Sequence, residues 1–139
     1  MRAVLDPNVL VSALLSPGGT AAGALRAWLH GEFELVVSPL LLEELERALG
    51  YPKLRKRIEP EEARRFRELL AETATMAENP SDPPSVRSGD PDDDYLIALA
   101  ASERAVLVSA DEHLLELEGK IPVYSPAGFH SRFLTESEV

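Results

Sequence analysis

The 139 residues carry a formal net charge of −10, are 45% hydrophobic and include no cysteine. A chain of this length buries one core, so a single domain over residues 1–139 is expected; the lack of cysteine excludes disulfides, thiolate zinc sites and cysteine nucleophiles, and it fits a reducing cytoplasm. No apolar run approaches the roughly 20 residues of a membrane span, and Asp6 and Pro7 interrupt the stretch where a signal peptide is continuously apolar, so the expectation is a cytoplasmic protein with no membrane partner.

In chain order, "RAVL" (Arg2 to Leu5) reads as a short buried strand that Pro7 stops. "GTAAGALRAWLHG" reads as a helix running to Gly31, and "FELVV" (Phe33 to Val37) as a second strand. "SPLLLEELERALG" has Ser38 as N-cap, Pro39 at the first helical position and Gly50 as its stop. "EPEEARRFRELLAETATMAE" places Ala63, Phe66, Leu70 and Ala74 on one helical stripe. A Pro/Ser-rich loop, Asn79 to Gly89, precedes a helix beginning at Asp90. Then come strands at Arg104 to Ser109 and Ile121 to Ser125, a helix opening near Asp111 and a short one after Pro126. Short Val/Leu/Ile-rich strands alternating with helices predict an α/β fold with a parallel sheet covered on both faces.

That topology gives the acids a common address. Asp6 ends the first strand, Ser38 ends the second, and Asp111 lies two residues beyond Ser109 at the end of the third. All three places are carboxyl ends of parallel strands, the edge where open α/β sheets bind ligands. On the helix after Ser38, Glu44 has Leu40, Leu41 and Ala48 as neighbours and leans inward, whereas Glu43 leans outward. The same test does not separate Asp92, Asp93 and Asp94, because the helix that follows is apolar all round. Several carboxylates in one partly buried pocket must protonate or bind a cation, and an all-oxygen cluster suits Mg²⁺ or Mn²⁺.

Simpler readings account for each acid singly. Asp90 before Pro91 fits an N-cap, Asp92 to Asp94 fit favourable charge at a helix start, and Asp111 fits another N-cap. The Asp90–Asp92–Asp94 spacing resembles a calcium loop but lacks its glycine and its terminal glutamate, Tyr95 and Ala101 standing there instead. His30, His113 and His130 are scattered, and "SPGGTAAG" lacks the Lys-Ser/Thr of a P-loop.

Four blocks in order give the chain a family resemblance: "AVLDPNVLVSALL", "VVSPLLLEELERALGYPKL", "DPDDDYLIALA" and "VLVSADEHLL". Together they resemble the PIN-domain nucleases, in particular the bacterial and archaeal branch regarded as toxins of toxin–antitoxin pairs. The resemblance implies a three-layer α/β/α fold with a central parallel sheet of four to five strands. It implies a metal-dependent endoribonuclease that hydrolyses RNA phosphodiester bonds. Asp6, Glu44, Asp93 and Asp111 are then the catalytic, metal-holding acids for Mg²⁺ or Mn²⁺, and Asn8, Ser109 and Asp90 support them. It implies as partners RNA, a small antitoxin protein and further copies of the chain. Trp28, Phe66 and Tyr51 supply apolar surface for such an assembly. Pro7 stands where the family often has Thr or Ser, which removes a hydroxyl, and Ser109 replaces the commoner Thr and keeps one. Bound metal would also reverse the sign of an acidic rim that otherwise repels phosphates, with basic help from Lys53 to Arg57 and from Arg64, Arg65 and Arg67, although these arginines also fit a solvated helix face.

Two other functions remain open at this level. A receiver-like phosphoryl-transfer signalling domain also gathers acids at this sheet edge, and Lys120 resembles its lysine, but that fold expects two adjacent acids after the first strand. A noncatalytic RNA-binding PIN-like module would be marked by loss of a carboxylate, and none is lost.

Overall fold

The computed structural model describes residues 1–134; the last five residues of the expected 1–139 domain lie outside the described residues. Five parallel strands form one sheet: β1 (Arg2–Leu5), β2 (Glu34–Val37), β3 (Thr75–Met76), β4 (Val106–Val108) and β5 (Val123–Tyr124), in the order β3-β2-β1-β4-β5. The helices are α1 (Pro7–Leu15), α2 (Thr20–Leu29), α3 (Pro39–Leu49), α4 (Pro52–Arg55), α5 (Pro60–Thr73), α6 (Asp94–Ser102), α7 (Glu112–Leu115) and α8 (Pro126–Phe133). A single 3-10 turn, Pro91–Asp93, precedes α6. Among the described residues no single helix is long and apolar enough to cross a membrane.

The sheet winds one way from β1 through β2 to β3, then returns past β1 to β4 and β5. Right-handed crossovers therefore put the helices of the first half on one face and those of the second half on the other. Contacts agree for all but the last helix: α1 packs on α2 and α3, α3 on α5, and α6 against β1 and β4, while α8, after β5, returns to the first layer against α2. This is the expected three-layer α/β/α arrangement. It also overturns the receiver-like alternative, whose sheet runs 2-1-3-4-5 with its ligand between β1 and β3. Here the winding reverses between β1 and β4, which are paired in register from Ala3–Val106 to Leu5–Val108.

Several sequence expectations need correction. The long helix from Glu59 ends at Thr73, and Thr75–Met76 pairs instead with Val36–Val37 as the edge strand β3. Ala74 is therefore off the stripe, and the sheet has a strand that helical periodicity concealed. The stretch after Pro7 is α1, with Asp6 as its cap and Pro7 at its first position; it carries no clear period because Val9, Leu10, Val11 and Ala13 are all buried. The helix expected from Asp90 begins as a 3-10 turn and becomes α-helical only at Asp94. Trp28 and Phe66, at 7% and 6% exposure, belong to the core and supply no assembly surface; Tyr51, at 55%, is exposed.

Candidate active site

Asp6 closes β1 and turns directly into α1. It is only 4% exposed. Its Oδ1 accepts from the Asn8 amide at 3.0 Å and its Oδ2 from the Ser109 hydroxyl at 2.7 Å. Asn8 thus touches Asp6 through its main chain, and its own side chain is exposed. Ser109, fully buried at the end of β4, is the tie between the two central strands. It donates to Asp6, and its oxygen accepts from the Asp111 amide at 3.0 Å. Asp111 then caps α7, its Oδ1 accepting from the His113 amide at 2.8 Å.

The acids from Asp90 to Asp94, alike in sequence, separate in the structure. Asp90 caps the 3-10 turn by accepting from the Asp92 amide at 3.0 Å. Asp92 is exposed. Asp94 Oδ1 accepts from the Ser88 amide at 3.0 Å and so fastens the preceding loop. Asp93 makes no side-chain capping bond. Its Oδ2 is buried without a hydrogen-bond partner. Helix capping therefore explains Asp90 and leaves Asp93 unexplained.

The electrostatics describe the same gathering. Burial pushes the Asp93 carboxyl up to about 7, helped by contact with Asp111 and by the charges of Asp6, Asp111 and Asp90. A contact between two carboxyl groups bonds only when a proton lies between them, which is why Asp111 favours the protonated form. Burial likewise raises Asp6, with Asp111 adding to it and the Asn8 and Ser109 hydrogen bonds opposing it. Glu44 enters through Tyr95. Burial first, then the charges of Asp6, Glu44 and Asp93, push the Tyr95 hydroxyl above the ordinary tyrosine range. Tyr95, in the first turn of α6, thus faces three of the four expected acids and stays a neutral donor. Sequence reasoning passed over it, although its place directly after the aspartate run was a usable signal. Glu44 itself is half-buried, and its Oε1 is paired with Arg47 Nη1 at 2.6 Å.

A divalent cation fits the chemistry of this donor set. The atoms are carboxylate oxygens, one of them buried and unpaired, in a cluster whose mutual repulsion a cation would relieve. Yet among the described residues no group of three or more His, Cys, Asp or Glu side chains already stands in a metal-holding arrangement. The carboxylates are assembled around Ser109 and Tyr95 but not closed on one point.

A parallel α/β domain with its acids at the reversal of strand order defines the class, and comparison names it. The chain belongs to the PIN domain family, whose profile matches residues 2–113; such domains are typically nucleases and generally use divalent metal ions. It is 26% identical over 140 residues to the uncharacterized protein MJ1680 of Methanocaldococcus jannaschii, covering 99% of this chain and 88% of that one. Its fold is similar to that in the crystal structure of VapBC2 from Rickettsia felis bound to a DNA fragment from their promoter. That match has a TM-score of 0.58 and 15% identity, and covers 90% of this chain and 98% of the other.

Proposed function

We propose that the protein is a Mg²⁺- or Mn²⁺-dependent endoribonuclease, with Asp6, Glu44, Asp93 and Asp111 as its metal-holding and catalytic acids. The observation that carries this reading is the buried, partnerless Oδ2 of Asp93, set against Asp111 and Asp6 at the carboxyl edge of β1 and β4. A divalent cation there would supply a water nucleophile near neutral pH and would offset charge on the attacking and leaving oxygens of an in-line displacement. The chain's own groups prepare for it. Ser109 holds Asp6 and the Asp111 main chain in register. Asp93 would hold the cation in its ionised form, its proton released to solvent. Tyr95, kept protonated by its acidic surroundings, offers a hydroxyl donor beside the cleaved phosphate. Glu44, paired with Arg47 in this structure, would be the fourth acid available to hold the cation. The family resemblance and the similarity of fold to a VapBC2 complex support a toxin role in the cytoplasm, with a small antitoxin protein and further copies of the chain as partners.

The test is cleavage of single-stranded RNA by metal-depleted protein with Mn²⁺ or Mg²⁺ restored. EDTA should abolish cleavage, the ions should restore it, and Asp93→Asn should reduce it by a factor of about 100 or more. Undiminished cleavage by the chelated wild-type protein would sink the proposal.

A further inference from the structure

The helical arm beyond Glu44 sorts its cations into two sets. On α5, Arg64 is ion-paired with Glu61 and Glu68, Arg65 with Glu61, and Arg67 with Glu46 of α3. Their charge is largely answered within the fold. The turn between α3 and α5 differs. Lys53, Arg55, Lys56 and Arg57 occupy four of five consecutive positions, all exposed, and none is in an ion pair among the described residues. In a chain of net charge −10 this is a concentrated patch of free positive charge.

The patch is rigidly presented. The Leu54 and Arg55 amides bond back to the Tyr51 carbonyl, and the Arg57 and Ile58 amides to Leu54. Ile58 is buried, half-buried Leu54 packs against the core, and Arg55 Nε donates to the Gly50 carbonyl at 3.1 Å. Tyr51 stands at the head of the same turn, 55% exposed and without a side-chain hydrogen bond among those described. From Gly50 it is about 9 Å back along α3 to Glu44, one of the proposed active-site acids.

An exposed aromatic ring beside closely spaced unpaired cations is the chemistry that holds single-stranded nucleic acid: bases stack on the ring while cations follow the phosphates. We infer that the Tyr51–Arg57 turn binds single-stranded RNA, stacking a base on Tyr51 and gripping the backbone with Lys53, Lys56 and Arg57, and so feeds the strand along α3 toward the acidic site. This rests on the nuclease reading for the direction of the strand, but the binding itself needs no metal. It also supplies protein-borne positive charge farther along α3 from a rim that repels phosphates.

The test uses the whole chain in EDTA, where cleavage is absent, and a fluorescent single-stranded RNA of about 12 nucleotides. Anisotropy titrations from about 50 to 200 mM salt would give affinity and its salt slope. Replacing Lys53, Lys56 and Arg57 together by Gln should weaken binding at least tenfold and flatten the slope by about 2, the loss expected for three phosphate contacts on a single strand. Tyr51→Ala should weaken it by roughly 5- to 100-fold, with Tyr51→Phe close to wild type, since the ring is the contact. Wild-type melting temperatures in these variants would exclude unfolding. No measurable binding by the wild-type chain at the low salt, or an unchanged slope in the triple variant, would overturn the inference. So would equally tight, Tyr51-independent binding of polyglutamate, which would assign the patch to an acidic protein. If the wild-type chain binds RNA through this turn but cleaves none with Mn²⁺, the nuclease reading falls and the surface stands. If it cleaves with a KM that the triple variant leaves unchanged, the surface falls and the nuclease stands.

Discussion

Ser109 spends both functions of one hydroxyl at full burial, donating to Asp6 and accepting from the Asp111 amide. Ser109→Ala leaves a buried carboxylate oxygen and an amide short of a partner, which should cost about 1–3 kcal/mol in urea melts and reduce cleavage with it. A variant as stable as wild type would show that water replaces the hydroxyl. Asp93 gives the opposite expectation. Its folded-state carboxyl sits near 7, above the ordinary value of 3.8, so between those limits the folded protein holds a proton that the unfolded chain has released. Metal-free stability should therefore be highest at the acid end of this window, fall as pH rises through it, and level off above. Asp93→Asn should lose that decline, matching wild type at the acid end and exceeding it at about pH 8. Thermal melts in EDTA across this range would read it directly; a destabilised Asn variant at the alkaline end would mean that Asp93 serves the helix after all.

At the level of elements, the chemistry-bearing stretch is a knot rather than a helix start. Ser88 Oγ donates to the Asp90 carbonyl at 2.6 Å and accepts from the Asp90 amide at 3.0 Å, and Asp94 holds the Ser88 amide. The Cβ that an alanine at Gly89 would add lies 2.8 Å from His113 Nδ1, so the missing side chain lets the loop close against the His113 ring. Asp94→Ala should loosen residues 79–89, with faster proteolysis there and a stability loss of about 1 kcal/mol, while exposed Asp92→Ala should change neither. Equal cleavage patterns in the two variants would contradict this. Sequence periodicity was silent on these acids because α6 buries Leu96, Ile97, Ala98, Leu99 and Ala100 around its circumference. Elsewhere local chemistry was legible: Ser38 does cap α3, its Oγ accepting from the Leu41 amide, and Pro39 and Gly50 sit where capping rules put them. β3 was not, because Thr75–Met76 is two residues long, follows a strong helical pattern and is a strand only through its pairing with β2.

At the scale of the molecule, strand composition indicated a parallel sheet, but strand order is a property of the assembled layers and not of any segment. The order 3-2-1-4-5 makes β1 and β4 neighbours and so joins Asp6 to Ser109 across 103 positions. The fold thus holds its acids together at one rim, where burial adds to the cost of their like charges and protonation of Asp93 relieves it. A cation that binds this rim binds only the folded state, so it must stabilise the fold by mass action, by about 2.7 kcal/mol at 100 times its Kd. For a domain of this size each kcal/mol is worth roughly 2–8 °C in Tm. Mn²⁺ or Mg²⁺ should accordingly raise the melting temperature by several degrees or more at about pH 8. The increment should shrink at about pH 6, below the Asp93 value near 7, where the ion has to displace a proton. Asp93→Asn should abolish most of it at both pH values, whereas Asp92→Asn, at an exposed position, should keep it. A metal-induced shift that is independent of pH and survives Asp93→Asn would place the cation on the acidic surface at large, and the rim would then be a structural cluster of caps instead of a catalytic centre.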